Sequence, residues 1–356
     1  MERKPEEQLE KLRAEGAEIY SISRLNTFNQ CPYQFYLNYI KGEKGINNCW
    51  AILGGALHGA LESCVKNGSD ESIVKEAIQK ELDNLDMLGI DFPRDKDGGS
   101  VIRENWIANM TRFADEWKTP KGKFETEKFV LFKVGENQYM QGYIDLLRFD
   151  GEKEVTIYDY KTSSKYTGEH LIEAQRQLVI YAMAMEEFGY KVNAAGWVFI
   201  KYGDTSWLQK NGKTGHKVSE WRKVGSEMKN YIRKDLEKLG YDEVDIEAYL
   251  YNVIVNNSFD GLPEEVQNKY KTKPYVQYCD LSEETRKECF EYIRNTIEKI
   301  SEYGDEENKY EPCDIERQSF FCNSLCGYGN TGKCRYYNEY RDKAQETSDE
   351  MRDLFG

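Results

Sequence analysis

The chain has 356 residues with 39% hydrophobic and 13% aromatic content, enough to bury a sizeable core in one elaborated domain or in two to three small ones. Its net charge of -14 argues against a protein that coats nucleic acid indiscriminately. The sequence has no uninterrupted apolar run of about 18 residues and its first residues are charged. We therefore expect no membrane span, no secretory signal and a cytoplasmic location.

The first third of the chain is predicted to be mainly helical. Ser23 is expected to cap a helix that contains Cys31, because apolar side chains after it recur near helical spacing. A second helix is predicted to start near Ala51, with an apolar stripe and His58 beside it. The nine cysteines, in a chain without a secretory signal, favour free thiols or metal ligands over disulfides.

From Phe124 the hydrophobic period changes to that of a sheet. Three segments rich in Val, Ile, Phe and Tyr are separated by turns with glycine, which predicts consecutive antiparallel strands. An amphipathic helix from about His170 to Phe188 follows, and then a buried strand and a hairpin turn at Asn211 and Gly212. Strands, a helix and a further strand indicate an α/β fold with a mixed sheet.

Five regions are predicted along the chain. They are a charged N-terminal lead (1–20), a helical region (21–120), a catalytic core (121–225), an acidic helical region (226–305) and a C-terminal cysteine-cluster region (306–356).

Two carboxylates and one amine lie on two of the predicted strands. Asp145 stands in "QGYIDLL", and fourteen residues later Asp159, Tyr160 and Lys161 stand in "VTIYDYKTS". The carboxylates and the Tyr160 carbonyl are hard oxygen donors that suit Mg²⁺ or Mn²⁺. Lys161 emerges on the same strand face as Asp159, where it can orient water or steady the charge of a phosphate. This set predicts a metal-dependent nuclease, because phosphodiester hydrolysis needs such groups.

The order of these motifs resembles a known family. Cys31, His58, "GYID", "DYK" and the "QLVIY" from Gln177 to Tyr181 follow one another as in PD-(D/E)XK nucleases of the RecB-like branch. Over nearly its full length the chain is similar to the nuclease domains of AddB and of the CRISPR-associated adaptation exonucleases. The resemblance implies a restriction-endonuclease-like mixed sheet flanked by helices.

The resemblance also implies roles for single residues. The positions of His58, Asp145 and Asp159 match metal ligands, and that of Lys161 matches the residue that serves the attacking water. Gln177 and Tyr181 match side chains that organise the site and contact DNA, and their i, i+4 spacing puts them on one helix face.

The roles of three further residues are left open. Tyr181 is either a site residue or plain core. Glu62, one turn after His58, either joins the site or faces solvent, and Glu127 on an earlier strand is a candidate auxiliary carboxylate.

The C-terminal cysteines form a predicted metal cradle. Cys322, Cys326 and Cys334 are separated by three and seven residues, so a fourth ligand must come from elsewhere. The resemblance implies that Cys31 is this ligand and that the four hold a [4Fe-4S] cluster, forming an iron-sulfur domain that joins the two ends of the chain. The wide spacing leaves Zn²⁺ as an alternative and Cys313 as a rival ligand. Either metal is expected to be structural, not redox-active.

A basic stretch is the predicted DNA contact. Residues 201–234 hold nine Lys or Arg against three acids, interleaved with aromatic side chains that can stack on bases. The alternative is an ordinary solvated hairpin and helix face. The candidate DNA-binding residues are Lys201, Trp207, Lys210, Lys213, Lys217, Arg222 and Lys223.

By analogy with the family, we expect an exonuclease that acts on single-stranded or end-exposed DNA in recombination, repair or replication. One alternative is the nuclease subunit of a helicase complex. The helicase, or another recombination protein, would then be a partner chain, because this sequence lacks a complete P-loop. "GKT" stands at 212–214, but Trp207 occupies the earlier position where the motif requires glycine. Others are a structure-specific endonuclease and a non-catalytic DNA-binding scaffold.

Overall fold

A seven-stranded mixed sheet forms the centre of the computed structural model, which describes residues 5–94, 98–209 and 211–355, with side chains to residue 346. The antiparallel run β2–β3–β4 and the parallel pair β4–β5 confirm the predicted mixed sheet. The strand β1 adds to β3 in parallel, while β6 and β7 both pair with β5. The strands are β1 (Glu18–Tyr20), β2 (Lys123–Lys133), β3 (Gln138–Phe149), β4 (Glu154–Lys161), β5 (Lys191–Leu208), β6 (Thr214–Glu220) and β7 (Lys271–Tyr278).

Helices cover both faces of the sheet. The helices are α1 (Pro5–Ala14), α2 (Ile22–Gln30), α3 (Pro32–Phe35), α4 (Cys49–Asn67), α5 (Ser72–Leu88), α6 (Val101–Glu116), α7 (Glu169–Glu187), α8 (Val224–Lys238), α9 (Glu243–Asn256), α10 (Glu264–Gln267), α11 (Glu283–Tyr303) and α12 (Arg335–Phe355). Short π-helical turns follow at Tyr36–Ile40 and Phe321–Leu325, and 3₁₀ turns at Trp221–Lys223, Glu307–Lys309 and Gly329–Thr331. None of the helices in the described ranges is long and apolar enough to cross a membrane.

The alternation of side chains along β4 divides the interior into two cores. Ile157 points to the face covered by α2, α7 and α11, whereas Tyr158 and Tyr160 point to the face covered by α4, α5 and α6. A central strand buried on both faces is nearly continuously apolar, as β4 is up to Asp159. The side chains of Asp159 and Lys161 therefore belong to the α7 side of the sheet. A third, smaller core joins α8, α9 and α10.

The structure differs from the sequence prediction at four elements. The first predicted helix is capped by Ser21 instead of Ser23, since Ser21 Oγ accepts the N–H of Arg24 at 3.2 Å. The strand β7 lies within the region predicted to be mainly helical. Its Pro274 interrupts the strand pattern and sits opposite Gly203, where the pairing with β5 is irregular. The short strand β1 and the C-terminal helix α12 were also not predicted.

Candidate active site

The candidate site forms where the C-terminal end of β4 lies beside the middle of β3. Leu146 pairs with Tyr158, and continuing this antiparallel register puts Asp145 opposite Asp159. Asp145 Oδ2 accepts the backbone N–H of Tyr160 at 2.8 Å, so its carboxylate holds the end of β4. The adjacency of the two carboxylates follows from the strand pattern that the sequence predicts.

The helix α4 brings His58 to the same point. His58 Nδ1 lies 3.3 Å from Asp145 Oδ2, and its ring packs edge-on against Tyr160 with centroids 6.1 Å apart. Burial holds the pKa of His58 below its ordinary value, against the attraction of Asp159. A neutral imidazole is the form that binds a metal.

Lys161 and the helix α7 complete the arrangement from the other side. Lys161 Nζ lies 2.6 Å from Asp159 Oδ2 and 3.4 Å from Gln177 Oε1, and Gln177 Nε2 donates to the Tyr181 hydroxyl at 2.9 Å. The i, i+4 pair on α7 therefore faces the sheet end. Tyr181 is 6% exposed and packs in the core, and its role in the site stays a prediction.

Burial and like charge decide the protonation of this group. Burial first, and then repulsion from Asp159, raises the pKa of Asp145 to about 8. Burial alone would lower the pKa of Lys161, but Asp159 outweighs it and holds that pKa above its ordinary value. The result is an ammonium beside Asp159 and a carboxyl at Asp145 that keeps its proton unless a cation neutralises the pair.

Two further carboxylates border the site. Glu127 lies on β2, opposite Asp145 in the register between β2 and β3, with a positive φ of 50° that strains a non-glycine residue. Burial, and then repulsion from Glu62, raises the pKa of Glu127. Glu62 pairs with Lys66 at 3.1 Å and accepts from Thr126 Oγ1 at 3.4 Å. Both predicted auxiliary residues thus lie near the pair, although their roles stay predictions.

The donor set fits a hard divalent cation. Asp159 Oδ2 is fully enclosed, and within the described residues no well-directed hydrogen bond reaches it; its close contact is the Lys161 ammonium. In the described part of the chain, no three His, Cys, Asp or Glu side chains already stand as ligands of one ion. The carboxylates of Asp145 and Asp159 are instead turned toward His58 and Lys161. One imidazole and two buried carboxylates are nonetheless suitable ligands for Mg²⁺ or Mn²⁺.

Gly142 is a site residue that the sequence prediction missed. A Cβ built at Gly142 would lie 2.4 Å from a ring carbon of Tyr181 and 2.9 Å from its hydroxyl. The glycine three residues before Asp145 therefore makes room for the ring that contacts Gln177. A glycine in the interior of a strand is the sequence signal for such a close approach.

The candidate DNA-binding residues are spread over β5, β6 and the turn after them. Glu220 pairs with both Lys201, at 3.4 Å, and Arg222, at 2.7 Å, while Lys217 pairs with Glu227 at 2.8 Å. Lys213 and Lys223 are exposed, and Lys210 lies outside the described residues. Trp207 packs against Tyr231, with ring centroids 4.6 Å apart and the ring planes tilted by 51°. Their role in DNA binding stays a prediction.

Five cysteines gather where the two ends of the chain meet. Cys31 lies at the break between α2 and α3, and its Sγ accepts the N–H of Cys313 at 3.4 Å. Cys313 Sγ is 3.6 Å from Cys322 Sγ, so Cys313 lies between two of the predicted ligands. Hydrogen bonding from Cys313 lowers the pKa of Cys31 to about 6. Burial raises the pKa of Cys326 and Cys334, and repulsion from Cys31 adds to it.

The C-terminal segment that contains Cys322, Cys326 and Cys334 also holds the loop before α4. Ile46 N donates to Gly327 O at 2.9 Å, and the side chain of Asn48, which caps α4, donates to Leu325 O at 2.9 Å. The start of the helix that carries His58 is therefore tied to the cysteine region. The remaining cysteines are buried (Cys49, Cys64, Cys289) or half-buried (Cys279).

Comparison with known proteins agrees with this geometry. A family model described as the PD-(D/E)XK nuclease superfamily matches residues 19–331, so the chain belongs to this superfamily. Its members are generally nucleases and typically use Mg²⁺ or Mn²⁺. A stretch of 195 residues is 22% identical to an uncharacterized protein of Rickettsia felis, and covers 49% of this chain but only 22% of that relative. The predicted superfamily is confirmed, and the RecB-like branch stays a prediction.

The raised pKa of Asp145 makes the metal-free protein sensitive to pH. A folded-state pKa of about 8, against 3.8 ordinarily, contributes stability at low pH that is lost as pH rises through that window. We expect the free energy of unfolding of Asp145→Asn to exceed that of wild type by more than about 1 kcal/mol at pH 8. This advantage should shrink toward pH 4. Chemical denaturation in EDTA tests this, and a difference that does not change with pH would contradict it.

Gly142 supports a second prediction. We expect Gly142→Ala to cost about 1–3 kcal/mol of unfolding free energy, because the Tyr181 ring must move. In a strand without this contact, alanine would instead stabilise by up to about 1 kcal/mol. Gly55→Ala is the matched control, since a Cβ at that exposed position of α4 meets nothing within 4 Å. Equal or higher stability of Gly142→Ala in urea denaturation would show that the ring does not need this space.

Proposed function

We propose that the protein is a metal-dependent DNA nuclease. The observation that carries this proposal is the buried pair Asp145 and Asp159, with the imidazole of His58 on one side and the ammonium of Lys161 on the other. A structural ion pair needs one carboxylate for one cation. Two adjacent carboxylates of low exposure instead hold the pKa of Asp145 high, and a divalent cation would let both side chains ionise. Membership of the superfamily supports the same activity.

His58, Asp145, Asp159 and the Tyr160 carbonyl would hold Mg²⁺ or Mn²⁺. When bound, this cation would lower the pKa of a water and neutralise charge on the scissile phosphate. Lys161 stays protonated beside Asp159, so it serves as a donor that orients the attacking water or a phosphate oxygen. Gln177 steadies the ammonium, and Tyr181 steadies Gln177.

The substrate is proposed to be single-stranded or end-exposed DNA, cut as an exonuclease in recombination, repair or replication. This part rests on the resemblance to RecB-like nucleases. Lys201 lies two residues beyond Phe199, which pairs with Lys161. A DNA strand that leaves the site would therefore pass the Lys201 side chain. The exposed amines of Lys213 and Lys223 would follow along β6 and the turn after it. A helicase in a partner chain, and a structure-specific endonuclease, remain alternatives.

Digestion of labelled DNA tests the proposed activity. With Mg²⁺ or Mn²⁺, we expect the full chain to degrade linear DNA, and Asp159→Asn and Lys161→Ala each to lower the rate by about a hundredfold or more. Asp305→Asn, an exposed carboxylate after α11, is the control and should keep the wild-type rate. Unchanged rates in both site variants would contradict the nuclease. Circular DNA cut as fast as linear DNA would remove only the exonuclease part.

We also propose that Cys31, Cys322, Cys326 and Cys334 hold a [4Fe-4S] cluster, with Zn²⁺ as the alternative. The contacts of Cys313 with both Cys31 and Cys322, and the lowered pKa of Cys31, support a thiolate site here. Such a cluster would clip α2 to the segment before α12. It would also steady the loop that leads into the helix of His58.

Removing one cluster ligand tests this proposal. We expect Cys322→Ala to lose iron and more than about 2 kcal/mol of unfolding free energy, because metal binding stabilises the folded state. Cys279→Ala, a half-buried thiol elsewhere in the core, should keep its iron. Cys313→Ala should also keep it, and loss of iron there would make Cys313 the ligand. Zinc in place of iron would change the metal but still link α2 to the segment before α12. Unchanged metal content and unchanged stability in Cys322→Ala would contradict the proposed metal site.

A further inference from the structure

The helix α9 is apolar on two opposite faces. Its inner face packs into the third core through Ile246, Leu250 and Val253, each no more than 2% exposed. Its outer face presents Val244 at 80% and Tyr251 at 67% exposure. A surface helix normally buries one apolar stripe and keeps the opposite side polar. The outer face of α9 therefore needs an explanation beyond folding.

The exposed side chains follow a regular spacing. The exposed side chains recur at steps of four, three and four positions, at Val244, Ala248, Tyr251 and Val255. This is the spacing of the a and d positions in a helix that pairs with another helix. Val255 is 60% exposed, and Ala248 is exposed too. These four side chains, here called the outer stripe, form one continuous line along the helix. Such a line is the pattern of a helix-in-groove or helix-pair contact.

The outer stripe belongs to a firmly held helix. The Asp242 side chain caps α9 by accepting the N–H of Asp245 at 3.0 Å. At the other end, the Asn257 side chain accepts from Gly225 N at 2.8 Å and donates to Trp221 O. A Cβ at Gly225 would lie 2.2 Å from Val253 O, so α8 and α9 are in close backbone contact. A partner would therefore meet a preformed surface and lose little affinity to ordering it.

The charge around the outer stripe selects among possible occupants. Residues 236–267 contain eight acids and one base. The acids Asp245 and Glu247 flank the stripe, where charged residues set partner choice in paired helices, and Glu247 also pairs with Arg233 of α8. DNA would be repelled by this surface, and a second copy would bring acid against acid. A partner with basic residues beside its apolar side chains would be attracted. Such a partner would match the outer stripe in charge as well as in apolar surface.

We propose that the outer stripe is the docking site for a basic amphipathic helix of a partner protein. The partner helix lays an apolar a/d seam along Val244, Ala248, Tyr251 and Val255, with Lys or Arg at its flanking positions facing Asp245 and Glu247. Tyr251 is the central anchor, since tyrosine supplies a large contact area at a small loss of side-chain freedom. The surface lies on the third core, apart from the carboxylates of the candidate active site.

The test uses two synthetic helical peptides and the full chain. Both peptides carry leucine at the a and d positions; one has lysine and the other glutamate at the flanking positions. By fluorescence anisotropy, we expect the lysine peptide to bind at least about tenfold more tightly than the glutamate peptide. The double variant Tyr251→Ser/Val255→Ser should bind the lysine peptide about tenfold more weakly or worse. Met87→Ser, which changes a side chain 78% exposed on α5, should bind it as wild type does.

Several outcomes would overturn the proposal. No binding of the lysine peptide would do so, and so would equal binding by wild type and the double variant. Sedimentation that shows a dimer of wild type, lost in the double variant, would assign the outer stripe to a second copy. Loss of DNA binding in the double variant would assign it to DNA. Thermal unfolding and DNA digestion by the same variants are the controls, and both should stay at the wild-type level.

Discussion

Two carboxylates side by side in a place that little water reaches are the constraint around which this structure is organised. Asp145 lies within β3 beside the end of β4 that carries Asp159, and the side chain of Asp159 is 2% exposed. Burial first, and then the like charge of Asp159, raises the pKa of Asp145 to about 8, so the two carboxylates do not both ionise without compensation. The Tyr160 amide and the Lys161 ammonium supply part of that compensation. A divalent cation would supply the rest.

Other parts of the fold bring these groups to the strand ends. The helix α7 crosses from β4 to β5 and presents Gln177 to Lys161, while Gly142 leaves room for the Tyr181 ring. The helix α4 carries His58 from the opposite face of the sheet. Its first turn is held by the segment that contains the C-terminal cysteines, through Gly327 and Leu325. Distant ends of the chain are thus coupled to the position of one imidazole.

Much of the candidate site could be predicted because its residues follow local periods. Asp159 and Lys161 share a strand face, and Gln177 and Tyr181 share a helix face, so spacing alone predicted which side chains could meet. The superfamily also followed from the order of the motifs. The strand β7 was missed because Pro274 breaks its pattern and its partner β5 lies far away in the chain.

Properties that depend on tertiary contact could not be predicted in this way. A count of charges along residues 201–234 suggests a basic surface, but Glu220 alone engages both Lys201 and Arg222. The contact of Cys313 with two other cysteines, and the left-handed backbone of Glu127, likewise exist only after folding. Local pattern specifies which side chains share a face, whereas pairing and strain are set by what packs against that face.

The central claim is that His58, Asp145 and Asp159 converge to bind one hard cation. Its most direct test is calorimetric titration of the full chain with Mn²⁺, for wild type and for His58→Ala, Asp145→Asn and Asp159→Asn. We expect one Mn²⁺ site in wild type that is weakened or lost in each of the three variants. Mn²⁺ binding that is unchanged in all three variants would contradict it.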